Sequence, residues 1–270
     1  MRQFFCQRVA GNQNVSSLAY IAKVTPTDEV YIRGIHQHDH VTEVSLVMAG
    51  SGNYFIKDGH FPVRQNDAVV INAGTLHSEG AILPSLCIGI RTPALIDDAQ
   101  APVFHLTQSQ FDVLVQIGNL GFNLLKRPDR AAHELANNLI ISSLLPFLHT
   151  SLPAPQPLTR TTPVIVSRAK GYIDDHFHDF INISDVCARL ALSHTYLDRK
   201  FRDNLAMTPI RYLTSRRVGE AQRLLIETPN LTLTQVSLQI GINNVNYFQR
   251  CFKNYASVSP KRFRTAVVIA

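Results

Sequence analysis

The spacing of apolar residues changes twice along this chain. Up to about residue 93 they come in short runs: SLAYIAKV, EVSLVMA, NYFIK, DAVVINA and LCIGI. Gly50, Gly52, Asp58-Gly59, Asn66-Asp67 and Gly74 fall between the runs. Short runs bounded by such residues predict strands, and Asp58-Gly59 predicts a hairpin turn. Many short, closely spaced strands predict a small barrel or jelly roll.

From Thr107 to about Thr150 the spacing becomes helical. Phe111, Leu114, Val115 and Gly118 lead into FNLLK, Pro128 interrupts, and AAHELANNLIISSLLPFLH gives a second helix. The pair carries more apolar surface than a barrel side needs, so it is an expected dimer interface, with simple packing on the barrel as the alternative. The stretch SLPAPQPLTRTTP, from Ser151 to Pro163, has four prolines and no period, which predicts an extended linker.

From Val164 onward the spacing stays helical. Val166, Ala169, Ile173 and Phe177 mark an opening helix. Ser184 is the expected N-cap of the next, with Val186, Leu190 and Leu192 on its apolar side. Ser193 caps a further helix, where Tyr196, Leu197 and Phe201 recur. Pro209 suits a first helical turn and Pro229 a stop; between them Ile210, Leu213, Ala221, Leu224 and Leu225 keep one apolar side. Thr232 with Gln235 fits a capping box, and Gly241 sits where a tight turn wants positive φ. Asn243 or Asn244 caps the helix striped by Phe248, Phe252 and Tyr255.

The same plan therefore occurs twice: a short capped helix, a tight turn and a second helix. This is a doubled helix-turn-helix. Left facing outward are His194, Thr195, Asp198, Arg199 and Arg202 in the first copy. In the second they are Asn244, Val245, Asn246, Gln249, Arg250 and Lys253. These are the candidate DNA contacts. A connecting helix of about 20 residues is roughly 30 Å long, close to the ~34 Å turn of DNA, so both copies could read one face of a duplex. Arg217, close to the apolar stripe, is expected to serve as a structural ion-pair partner.

Charge sharpens this picture. The net charge is +6, but residues from Arg160 onward hold 16 basic and 8 acidic side chains, against 10 and 12 in the remainder. The helix-turn-helix half is thus the half suited to phosphates. No run of 18 apolar residues occurs, and MRQFFCQRVAGNQN has no signal-peptide core, so a cytoplasmic, nucleoid-associated protein without a membrane partner is expected. Cys6, Cys87, Cys187 and Cys251 form no CxxC pair or disulfide framework. No nucleophile–base arrangement, P-loop or dinucleotide motif is present, so an enzyme is not expected.

Leu197, Arg199, Phe201, Tyr212, Leu213, Arg217, Ala221, Leu224 and Leu225 carry a family likeness in the first half of this region. Ile240, Gly241, Tyr247, Phe248, Arg250, Phe252, Lys253, Pro260 and Phe263 carry it in the second. Over roughly the last hundred residues the chain resembles the DNA-binding domain of the AraC/XylS family of bacterial transcription regulators. Ile242 stands where that family usually has Phe and keeps apolar volume. The stretches HQHDHVTEVSLVMAGSG and NAGTLHSEG resemble the cupin barrel that many such regulators carry as an effector domain. His36, His38, Glu43 and Gly50 meet the spacing of metal-binding cupins, as do Gly74 and His77, with Asn72 in place of a Pro.

This second resemblance implies one of two sites. His36, His38, Glu43 and His77 would hold a divalent ion such as Zn, Fe, Mn or Ni. Alternatively, the same four residues with Tyr31 and Tyr54 would line a polar effector pocket. Both need the four to converge. Strand alternation puts His36 and His38 on one face and Glu43 on the other, so a bulge or turn near His40–Thr42 is required.

The expected fold is α+β: an N-terminal cupin-like β-barrel with a helical pair, then an all-α domain of two helix-turn-helix motifs. The expected domains are 1–150 for effector binding and dimerisation, 151–163 for the linker and 164–270 for DNA binding. The resemblance implies a sequence-specific regulator, an activator, that binds operator DNA as a homodimer, meets RNA polymerase and answers to a sugar or related metabolite. The alternatives are a metal-dependent cupin enzyme fused to a DNA-binding domain, and a ligand-independent regulator.

Overall fold

The run TEVSLV forms strand β3 (Thr42–Val47), and all six of its residues are buried because the strand is covered on both faces. The structure is a computed structural model that describes residues 2–6, 16–25, 33–80, 83–152 and 162–268. Tyr31 and residues 153–161 of the expected linker lie outside the described residues. Strand β3 lies inside a six-stranded antiparallel sheet in the order β1-β2-β8-β3-β6-β9. Its other members are β1 (Arg2–Phe5), β2 (Ser17–Val24), β6 (Asp67–Ile71), β8 (Ser85–Arg91) and β9 (Val103–His105). Strands β4 (Ser51–Ile56), β5 (Gly59–Arg64) and β7 (His77–Glu79) make a second sheet in the order β5-β4-β7.

Alternation along β3 sends Val44 and Leu46 to one face, where they cluster with Ile21, Leu86, Ile88 and the helices that follow. Val47 packs the other way, with Val69, Ile71, Tyr54, Ile56 and Val63, between the two sheets. Glu43 and Ser45 share that inward face, so the space between the sheets is apolar at one end and polar at the other. A β-bulge between Leu18 and Tyr20 switches the faces of β2. Leu18 joins the outer cluster while Tyr20 turns inward with Cys87. The Leu18 amide freed from the ladder donates to Asn137 Oδ1 at 2.8 Å.

Helix α1 (Gln108–Leu125) starts at Thr107 in a capping box with Gln110. The second expected helix is interrupted: α2 (Arg130–Leu139) passes through a π-helical turn, Ile140–Leu144, into α3 (Leu145–Ser151). Pro146 has no amide hydrogen, and its ring would clash with the carbonyl four residues back, so the wider turn accommodates it. Leu114, Phe122, Ile140, Leu144 and Leu148 are buried against the sheet, which takes up most of the apolar surface of this segment. Leu120 and Leu135 remain exposed.

Seven helices follow among the described residues: α4 (Val164–His176), α5 (Ile183–Leu190), α6 (His194–Leu205), α7 (Pro209–Glu227), α8 (Leu233–Gln239), α9 (Val245–Ala256) and α10 (Pro260–Val268). Ser193, Thr208, Thr232 and Asn244 cap α6, α7, α8 and α9 through their side chains. Gly241 has φ +72°. Three expectations are corrected. The cap of α5 is Asn182, not Ser184, because Asp185 reaches back to the Asn182 amide and completes a capping box. Ile210 is exposed rather than on the apolar side of α7. Arg217 pairs with no carboxylate among the described residues; it donates to the carbonyls of Phe177, Asp179 and Ile181, in the chain between α4 and α5. An ion pair from α7 to α4 is made one residue earlier, by Arg216 with Asp174 at 2.7 Å.

The two halves meet over a shared core. Ile35 and Phe55 cluster with Val166, Ile173, Val186, Leu197, Phe201 and Leu213 of the helical half. Lys170 of α4 is buried and reaches the Lys57 carbonyl at 2.8 Å and the Asp58 carboxylate in the β4–β5 turn. His60 Nε2 donates to the Leu205 carbonyl at the end of α6. No helix of the described residues is long and apolar enough to cross a membrane.

Candidate functional site

The second helix of each helix-turn-helix presents a polar face. On α6, His194, Thr195, Arg199 and Arg202 are exposed and Asp198 is half-buried. The buried side of the same helix holds Leu197, Phe201 and Leu205. On α9, Asn246, Arg250 and Lys253 are exposed, Val245 and Gln249 are half-buried, and Phe248 and Phe252 fill the core. Asn244 has a prior duty, since its Oδ1 accepts the Tyr247 amide at 3.0 Å. The guanidiniums match across the repeat: Arg199 lies 5.7 Å from the centre of the Tyr196 ring and Arg250 5.6 Å from that of Tyr247. Each Tyr thus offers its ring to one Arg three residues further along the same helix. Asp198 lies 3.7 Å from Arg202, so this carboxylate is shared within the face.

Between the sheets, three imidazoles come together. Ring centres lie 4.3 Å apart for His36 and His77, 5.1 Å for His36 and His38, and 5.5 Å for His38 and His77. His36 sits outside the named strands and bridges β7 through paired amide–carbonyl bonds with His77, of 2.9 and 3.0 Å. A turn at Asp39–His40 separates His38 from β3 and lets Glu43 face the same space. Glu43 Oε2 lies 3.7 Å from His38 Nε2 and accepts the Tyr20 hydroxyl.

Tautomers follow from the backbone. His36 Nδ1 donates to the Gly34 carbonyl at 2.8 Å and His77 Nδ1 to the Thr75 carbonyl at 2.9 Å, because a carbonyl can only accept. Each ring therefore carries its proton on Nδ1 and a lone pair on Nε2. Both Nε2 atoms are buried and meet no hydrogen-bond partner among the described residues. Burial, with the nearby Arg33 and the other imidazoles, pushes His36 well below its usual pKa. Burial likewise lowers His77 to about 4. Both rings are neutral at pH 7, which is the form that ligates metals. Burial alone would raise the Glu43 pKa, but the imidazoles and the Tyr20 hydroxyl outweigh it and hold the carboxyl at about 2. Two buried imidazole lone pairs, with a third imidazole and one carboxylate beside them, are a donor set suited to a divalent transition ion.

Sequence reasoning missed the polar groups behind this cluster. Glu79 and Cys87 have ligand atoms that lie with Glu43 within 4.8 Å of one another. Tyr54 donates to Ser45 at 3.1 Å and to Glu79 at 3.5 Å. Glu79 was within reach, since it stands two residues after His77 on one strand and so shares its face. Burial and the Glu43 charge push its pKa to about 7. A separate cleft of about 570 Å³ opens beside the domain junction, with Ile56, Phe61, Val70 and Ile71 below Lys57, Asp97 and Asp98. Phe61 lines it; His36, His38, Glu43, His77 and Tyr54 do not.

Comparison with known proteins bears on both regions. The family described as AraC-like ligand binding domain matches residues 20–87, and the one described as helix-turn-helix domain matches residues 186–266. An uncharacterized HTH-type transcriptional regulator of Staphylococcus aureus strain MSSA476 is 26% identical over 176 residues, which are 62% of this chain and 23% of that protein. The chain thus spans about a quarter of the length of that relative. YdiP of Escherichia coli K12, another uncharacterized HTH-type transcriptional regulator, is 21% identical over 93% of this chain and 90% of its own. Among solved structures, ToxT of Vibrio cholerae aligns over 95% of this chain and 98% of its own, at 12% identity and a TM-score of 0.47.

The raised Glu79 gives the barrel a signed pH dependence. Its folded pKa of about 7 lies above the ordinary 4.5, so folding takes up a proton between those values. The stability this confers is whole below pH 4.5 and is lost as the pH rises to 7. Glu79→Gln should therefore be more stable than the parent at pH 8, by on the order of 2 kcal/mol, and equal to it near pH 4. Urea unfolding at the two pH values checks this; equal gains at both would show that charge is not the cause.

Proposed function

We propose that this chain, which belongs to the AraC family of helix-turn-helix transcription regulators, binds operator DNA through α6 and α9. The observation that supports this reading is the pair of matched faces, each with an Arg over a Tyr ring, on two helix-turn-helix units linked by the 19-residue α7. At 1.5 Å per residue, α7 is about 29 Å long, against ~34 Å for a turn of DNA. Arg199→Ala and Arg250→Ala should each reduce discrimination between a selected operator and its scrambled sequence by about 1–3 kcal/mol. Fluorescence anisotropy measures this, and full discrimination in both variants would sink the assignment.

The ligand of the barrel in this reading is a divalent cation held by His36, His38 and His77, with Glu43 as the fourth donor. Two buried lone pairs without a donor support it, as do ring centres too close together to admit an organic molecule between them. The ion would supply the positive charge that those lone pairs and the Glu43 carboxylate lack. Protein purified without a histidine tag should hold about one equivalent of metal by elemental analysis, and His36→Ala should lose it. A metal-free parent that also takes up no added zinc or nickel would overturn the cation reading.

A homodimer belongs to the same reading. It would use the outer side of α1 and α2, where Leu120 and Leu135 are exposed. Sedimentation equilibrium of the full chain should give twice the chain mass, shifting toward the single-chain mass in Leu120→Glu/Leu135→Glu; a parent that stays single at tens of micromolar argues against it.

A further inference from the structure

The histidine site has an outer wall, and the DNA-binding half supplies it. Metal-binding imidazoles are oriented by whatever their other nitrogen bonds. For His36 that partner is the Gly34 carbonyl. The Gly34 peptide is in turn held from α7: its amide donates to Gln222 Oε1 at 2.9 Å. The next amide, of Ile35, donates to Ser215 Oγ at 2.9 Å, and the Ile35 carbonyl accepts Arg216 Nη1 at 3.1 Å. The backbone leading into His36 is thus fixed by side chains about 180 residues further along the chain.

The approach leaves no slack. A Cβ on Gly219 would meet the Ile35 carbonyl oxygen at 2.3 Å, and one on Gly34 would meet the Gly219 nitrogen at 2.3 Å. Backbone lies on backbone here, and only glycine fits on either side. Ile35 itself is fully buried in the core of the first helix-turn-helix. Ser215 also bonds the Tyr255 hydroxyl of α9 at 2.7 Å, so the same contact reaches the second helix-turn-helix.

We propose that Ser215, Gly219 and Gln222 of α7 are positioning residues for the histidine site, so that cation binding in the barrel and the seating of α7 are one coupled equilibrium. This rests on the cation reading given above. Coupling of this kind is reciprocal: whatever factor the seated helix adds to cation affinity, the cation adds to the seating of the helix.

The test uses the full chain, with zinc competed against a chromophoric chelator and cobalt(II) as a spectroscopic probe. Gly219→Ala pushes the Ile35 carbonyl away, and Gln222→Met removes the acceptor for Gly34 while keeping bulk. Each should weaken zinc binding about 10- to 100-fold, the range for outer partners of metal-bound histidine. Each should also change the cobalt d–d absorption, which reports the arrangement of ligands and which a loss of stability alone leaves unaltered. Ile210→Ala, exposed on the same helix, should bind as the parent does. Thermal melts identify a variant that fails to fold, and the other then carries the test. A parent that binds zinc, with folded variants that match it in affinity and spectrum, overturns the coupling and leaves the cation site standing. A parent that binds no zinc overturns the cation site and the coupling with it.

Discussion

A peptide group taken out of water must find a partner, and the Gly34–Ile35 peptides lie outside the named strands of the described residues. They pass through a junction buried on both sides and belong to neither sheet. Their amides and one carbonyl are met by Gln222, Ser215 and Arg216 of α7 instead. That requirement adds directed bonds along α7 to the apolar core and to the Lys170 and His60 contacts that also join the two domains. It also fixes their register, because apolar packing tolerates sliding and a set of directed hydrogen bonds does not.

The polar space between the sheets depends on a second departure from regularity. The bulge at Leu18–Tyr20 turns Tyr20 inward, where its hydroxyl meets Glu43. Without it Tyr20 would face the helices, and Glu43 would lose the donor that helps keep it ionised beside His38. One extra residue in one strand therefore adds a hydroxyl donor to the carboxylate nearest the imidazoles.

Local rules were legible in the sequence. Thr232 with Gln235, Gly241 at positive φ and Pro209 at a helix start each act within one turn of chain, so the residues alone declare them. The repeated helix-turn-helix was legible for the same reason. Asn182 and Ser184 are both good caps two residues apart, and the choice went to the one whose partner, Asp185, could close the box. Arg217 was harder, because the carbonyls it satisfies lie 36 to 40 residues earlier. Tyr20, Glu79 and Cys87 come from three strands and meet Glu43 only once those strands are aligned. The junction was out of reach altogether: nothing in the run GIHQH says that its first two residues will lie on a helix near residue 219.

That junction has a consequence for how such a chain can drift. Ser215, Gly219 and Gln222 lie on one side of α7, a turn apart, and they face the barrel. A single residue inserted before Ser215 would rotate this side by about 100° relative to α6. The stretch of α7 between α6 and Gln222 therefore cannot be lengthened or shortened while both α6 and the barrel stay where they are. The barrel half acts as a gauge on the ruler: the phase of α7 relative to α6 is inherited together with its contact to the Gly34–Ile35 backbone.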